Sequence, residues 1–140
     1  KLSAGATPPV QDIANGLPGL EVRQPLLFDA IVSQGRGSIA DFVRLTASNA
    51  AEIYGLSQKG RIAVGADADL TLWDPQRQHS YAANDLHDNV GYNPWDGTTV
   101  TGWPVATFLR GRQVADDTGC TADAGQGVWQ SRPALIKMRP

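Results

Sequence analysis

The side chains that could carry chemistry are few and scattered. Histidine occurs twice, at His79 and His87, and cysteine once, at Cys120. His87 stands between Asp85 and Asp88, the nearest thing to a metal-binding cluster in the chain. Protein zinc sites need several converging ligands, so one histidine in a polar loop reads as solvated. Asp67, Asp69 and Asp74 lack the glycine and the closing glutamate of a calcium loop, and read as turn caps. No Gly-x-Ser-x-Gly elbow is present to hold a serine nucleophile, and Cys120 has no histidine nearby in sequence to activate it. Trp73, Trp95, Trp103 and Trp129 could form a carbohydrate platform, but their strand spacing favours packing within a sandwich or against another subunit. Asn15-Gly16, taken alone, is a turn.

The elements that must position these residues fall into two compositions. Residues 1–19 hold Pro8, Pro9, Pro18 and three glycines with no apolar period, and read as loop. Val22, Leu26, Leu27, Ala30 and Ile31 follow at helical spacing, and the glycines at 35 and 37 should end that helix. Ser38 with Asp41 three positions on predicts a capped second helix burying Ile39, Phe42, Val43 and Thr46. A third, short helix is expected from a Ser48 cap through residues 50–54, stopped by Gly55. Beyond Gly60 the period changes to that of strands, at residues 70–73, 79–82, 98–101, 105–109 and 112–114, the last two joined by a tight turn at Arg110-Gly111. Residues 84–97 hold too many turn formers to be regular, and the polar stretch from Asp116 predicts an extended tail with Trp129 as its anchor. Neither half can cover its own apolar faces, so the fold class is an α+β fragment of something larger.

A chain of 140 residues with 41% hydrophobic content has enough apolar surface for one domain. The formal charge of −2 and the scattered basic residues exclude a nucleic-acid partner. The apolar runs are far shorter than the ~20 residues of a bilayer span, so no membrane segment is expected. Lys1 in place of a methionine, with no charged-then-apolar leader behind it, predicts an internal cut and no secretory signal. A lone cysteine suits a reducing, cytoplasmic compartment.

Three segments carry a family resemblance. Asn15-Gly16-Leu17-Pro18-Gly19-Leu20-Glu21-Val22-Arg23 looks like the loop-to-helix segment after the last metal-ligand strand of hydantoinases, dihydropyrimidinases and dihydroorotases. Lys59-Gly60-Arg61-Ile62-Ala63-Val64-Gly65-Ala66-Asp67-Ala68-Asp69-Leu70, ending in Trp73-Asp74-Pro75, is similar to the signature of the amidohydrolase superfamily where the chain leaves the barrel for a small β-sandwich. In physical terms its glycines make turns, Asp67 and Asp69 can cap loop amides, and Ala68 and Leu70 should pack inward. Asn89-Val90-Gly91-Tyr92-Asn93-Pro94-Trp95-Asp96-Gly97, with Thr101-Gly102-Trp103-Pro104-Val105 and Arg110-Gly111 after it, resembles hydantoinases and dihydropyrimidinases above dihydroorotases or allantoinases.

This resemblance implies residues 1–58 as a loop and the last helices of a metal-dependent (β/α)8 barrel, 59–117 as part of a β-sandwich and 118–140 as a C-terminal tail. It implies a parent hydrolase that opens hydantoin or dihydropyrimidine rings with two zinc or similar divalent ions. Their ligands are expected upstream of Lys1, leaving this chain inactive alone, with no catalytic and no metal residue. Asn15 matches the family position whose backbone N–H and C=O pair with the amide of the substrate ring. The implied partners are a small cyclic amide, the N-terminal part of the same protein and further copies of it, commonly in a tetramer with the tail after Cys120 reaching a neighbour. Three alternatives stand beside this reading. The parent could be a non-catalytic relative of the collapsin-response-mediator group acting in assembly, a dihydroorotase- or allantoinase-type enzyme, or a free-standing β-rich interaction module.

Overall fold

The computed structural model describes Pro9, Gln11, Gly16 and residues 18–88 and 90–131. Asn15, most of the opening loop, Asn89 and the last nine positions of the tail lie outside the described residues. Among the described residues, two helical runs precede a four-stranded antiparallel sheet in which neighbours in sequence are neighbours in space.

The first run is α1 (Arg23–Phe28), continued by a π-helical turn (Asp29–Ser33). Pro25 lies in its first turn, where an amide would have no partner inside the helix. The second run passes without a break from α2 (Ile39–Val43) through a π-helical turn (Arg44–Ser48) into α3 (Asn49–Ile53). The expected capping box opens it: the Asp41 amide donates to Ser38 Oγ at 3.2 Å, and the Ser38 amide to Asp41 Oδ2 at 2.9 Å. These bonds from Ser38, led by that of its backbone, hold the Asp41 carboxyl below the usual range. Ser48 does not begin a separate helix. Its backbone is already helical, its side chain caps nothing, and its Oγ donates instead to Gly60 O at 2.8 Å. Gly55 does end the run, its amide reaching Glu52 O at 3.1 Å while the Leu56 amide reaches Ala51 O at 2.8 Å.

The sheet is simpler than the strand pattern predicts. β1 (Leu70–Ser80) and β2 (Thr99–Leu109) are each one strand of 11 residues where two short ones were expected, followed by β3 (Arg112–Asp116) and β4 (Gly119–Cys120). Asp74-Pro75 bends β1 without ending it. Pro75 has no amide to pair, and Asp74 Oδ1 accepts the amides of Gln76 (2.9 Å) and Arg77 (3.2 Å), so the irregularity is absorbed as a bulge between the Asp74–Trp103 and Gln78–Thr101 pairs. Arg110-Gly111 is the two-residue turn expected between β2 and β3, with positive φ at both positions.

Helix and sheet meet at one seam. Phe28 is 1% exposed, stacks on Trp73 with ring centroids 4.8 Å apart, and meets Phe42 edge-on at 5.2 Å. Gly102 lies beneath it: a Cβ there would come within 2.0 Å of Phe28 Cδ1, so only glycine allows this approach. Beside the ring, Asp29 Oδ1 accepts the Thr101 amide at 2.9 Å and Ser33 Oγ donates to Thr101 O at 2.7 Å. Gly60 is a second close approach, where a Cβ would stand 2.5 Å from that of Ala51. A neighbouring cluster buries Val22, Tyr81 and Val100, with Leu26, Leu86, Trp95 and Trp103 packed around it.

Several burial expectations are corrected. Phe28, absent from the predicted stripe, is a core residue, whereas Ile39 and Val43 are 61% and 46% exposed. The α2 face turned to the sheet is narrow, and Phe42 alone fills it. Ala68 is exposed; its carbonyl, not its methyl, is used, accepting the Gly111 amide at 2.9 Å. Trp129 is 90% exposed and anchors nothing among the described residues.

Candidate functional site

The chemistry-bearing side chains are separated by the fold and engaged in local contacts. His87 turns away from Asp85 and Asp88: its amide donates to Glu21 Oε1 at 2.7 Å, and its Nδ1 lies 2.9 Å from Glu21 Oε2. The Glu21 hydrogen bond, reinforced by its charge, pushes the His87 imidazole above its ordinary value. Asp85 Oδ2 accepts the Ala82 amide at 2.8 Å and lies 3.3 Å from His79 Nε2, while Asp88 Oδ1 accepts the Val90 amide at 3.0 Å. His79 stacks on Trp103 at 3.9 Å. Among the described residues no three His, Cys, Asp or Glu side chains converge on a point that could hold a metal ion.

The three aspartates weighed as a calcium loop also have other partners. Lys59 Nζ lies between Asp67 (2.7 Å) and Asp69, and Asp69 Oδ1 accepts the Arg110 amide at 2.8 Å. Hydrogen bonds to Asp67 and then Asp69 raise the Lys59 ammonium above its ordinary value. Burial pushes the Asp69 carboxyl up, but the Lys59 and Arg110 contacts outweigh it and hold the group low. The signature segment is therefore a clamp. It ties the end of the helical part to the β2–β3 turn.

Around the loop-to-helix segment that leads into α1 the geometry is more specific. The described residues between 82 and 97, which include the Tyr92-Asn93-Pro94-Trp95 motif, form an irregular loop closed at its base by the Gly97 amide on Tyr81 O (2.8 Å). Asn93 is buried and fully used: its Nδ2 donates to Ala82 O at 2.8 Å and its Oδ1 accepts the Trp95 amide at 3.0 Å. From this frame three side chains reach the segment that follows Asn15. Tyr92 OH donates to Gly16 O at 3.4 Å, His87 holds Glu21, and Trp95 lines an open apolar hollow with Gly19 and Val22. The Tyr81 hydroxyl is buried with no hydrogen-bond partner among the described residues, and burial, then Asp85 and Glu21, pushes its pKa up to about 12. It stays a neutral phenol. Sequence reading singled out Asn15 but missed Glu21, because its partner lies 66 residues away and no spacing rule joins them.

The helices, the sheet, the clamp around Lys59 and the Asn93-centred loop all fall within one stretch of sequence that matches a known family. Residues 14–114 match the model described as the amidohydrolase family, and the chain belongs to that family. Among curated proteins it is 41% identical over 123 residues to a D-phenylhydantoinase of Escherichia coli O1:K1 / APEC, covering 87% of this chain and 27% of that protein. Among solved structures it is 36% identical to the D-hydantoinase from Bacillus sp. AR9, with a TM-score of 0.83 over 91% of this chain and 28% of that one. The D-hydantoinase (dihydropyrimidinase) from Thermus sp. is also 36% identical, with a TM-score of 0.83 over 89% of this chain and 28% of its own. The chain thus spans about a quarter of the length of the relatives it matches.

Proposed function

We propose that this chain is the C-terminal portion of a metal-dependent hydrolase that opens the cyclic amide of hydantoin or dihydropyrimidine rings. The observation that carries the proposal is the joint likeness, in sequence and in backbone, to D-hydantoinases across nine-tenths of the chain. In this reading residues 1–58 are a loop and the last helices of a (β/α)8 barrel, 59–117 part of a β-sandwich, and 118–140 a tail. Asn15 presents its backbone N–H and C=O to the ring, whose amide offers an acceptor beside a donor. Two zinc or similar divalent ions would supply an activated hydroxide when bound. Among the described residues no three His, Cys, Asp or Glu side chains form a donor set, and in this reading the metal ligands lie in the N-terminal part of the parent. This chain's share is binding and support. The parent is proposed to act in the cytoplasm as a homo-oligomer; no helix among the described residues is long and apolar enough to cross a membrane.

The test is a ring-opening assay of the metal-loaded full-length parent and of this chain alone. Turnover of hydantoin or dihydrouracil by the parent only is the expected result. Turnover by the isolated chain would remove the division of labour. A parent that prefers dihydroorotate or allantoin would move the assignment to those enzymes, and a full-length protein without turnover would favour an assembly role.

A further inference from the structure

We infer that loop 82–97 acts as a brace, in which Tyr92 and the Glu21–His87 pair are positioning residues for the backbone that contacts substrate. The inference rests on the proposed role of Asn15.

Three independent contacts converge on a short stretch of chain. At one end, Gly16 O accepts from Tyr92 OH at 3.4 Å, one residue beyond the proposed substrate contact. At the other end, both oxygens of Glu21 are engaged by His87, at 2.7 Å through its amide and 2.9 Å through its ring. Between them Gly19 lies beside Trp95, where an added Cβ would stand 3.7 Å from Trp95 Cη2, in ordinary van der Waals contact. Val22, the residue after Glu21, is 1% exposed and fixes the stretch to the core. All three contacting side chains come from one loop, and Asn93 and Asp85 make that loop rigid through its own amides. Side chains alone could be replaced by many surface pairs without consequence. A backbone donor–acceptor pair, however, cannot reach its ligand by a rotamer change, so its aim depends on whatever holds the neighbouring peptides.

The experiment compares the full-length metal-loaded protein with its Glu21→Ala, Tyr92→Phe and double variants, and with Glu21→Gln as the conservative replacement. Gln keeps an oxygen for the His87 amide and places an NH2 against the ring nitrogen, so it should restore most of the function. The expected result is a KM for hydantoin or dihydrouracil raised ~10-fold in the double variant with kcat within about twofold, since the backbone contact is made equally in the ground and transition states. Thermal midpoints should stay together, and Glu21→Gln should return KM to near the wild-type value. A lowered midpoint with unchanged KM would mean a structural contact only, and would overturn the inference. Hydrogen exchange separates this from the activity itself. The amides of Gly16, Gly19 and Leu20 should exchange at least ~10-fold faster in the double variant whether or not the wild type opens rings. Unchanged exchange rejects the brace, while faster exchange in a protein without turnover rejects the substrate reading and leaves the brace standing.

Discussion

α1 and the helical run after it both carry large apolar side chains, yet the chain treats them differently. Phe28 and Val22 are each 1% exposed because β1 and β2 supply a matching surface, down to the missing side chain at Gly102. Ile39, Val43 and Ile53 are 61%, 46% and 68% exposed, and Ile39 and Val43 line an open depression together with Ile62 and Leu72. The first surface is a finished interface within the chain. The second has the composition of an interface without its other half, as expected if the remaining barrel of the proposed parent covers it.

The strongest way to break this comparison is Phe28→Ala. It removes the ring that Trp73, Phe42 and Gly102 share, and should cost about 4 kcal/mol in a denaturant titration; a loss under about 1 kcal/mol would mean that the seam does not hold the halves together. Gly102→Ala should cost about 2–3 kcal/mol, since Phe28 cannot retreat within a packed core. Combined with Phe28→Ala it should cost much less than it does alone, a coupling that a double-mutant cycle measures directly.

A smaller effect is expected at the Lys59 clamp, seen in the pH dependence of the unfolding midpoint. Asp69 titrates below its ordinary 3.8, so its contribution is complete above that value and is lost as pH falls through the lowered one. Lys59 titrates above its ordinary 10.5, so its contribution is complete below that value and is lost as pH rises through the raised one. Lys59→Met should therefore lower the plateau and flatten both flanks, and an unchanged profile would show that the clamp is not a stabilising contact. The smallest effect sharpens the comparison most. Ile39→Ser should change the stability of the isolated chain by less than about 0.5 kcal/mol, but should cost about 1.5–3 kcal/mol in the full-length protein if that face is covered there.

Much of the local structure is legible in the sequence alone. Ser38 and Asp41 announced their capping box, Gly55 its helix end and Arg110-Gly111 its turn, because each is settled by interactions within a few residues. The expected break at Asp74-Pro75 became a bulge, since the pairing of β1 with β2 on either side outweighs one missing amide. Likewise the expected Ser48 cap was drawn into a contact with Gly60, and the helix simply ran through it. The family resemblance rested on motifs whose members touch distant parts of the chain. Asn93 ties residue 82 to residue 95, and Lys59 binds Asp67 and Asp69, of which Asp69 also accepts the Arg110 amide in the β2–β3 turn.

By itself, the order of residues determined the Ser38–Asp41 capping box, the helix end at Gly55, the switch from helical to strand period near Gly60, and the family. Only the tertiary structure decided which apolar residues are buried, that Gly102 must yield space to Phe28, and that Glu21 meets His87 across 66 positions. The reason is range. Caps and turns are settled by hydrogen bonds that a short peptide can already make, whereas burial and cross-chain pairing depend on which surfaces the folded chain brings face to face.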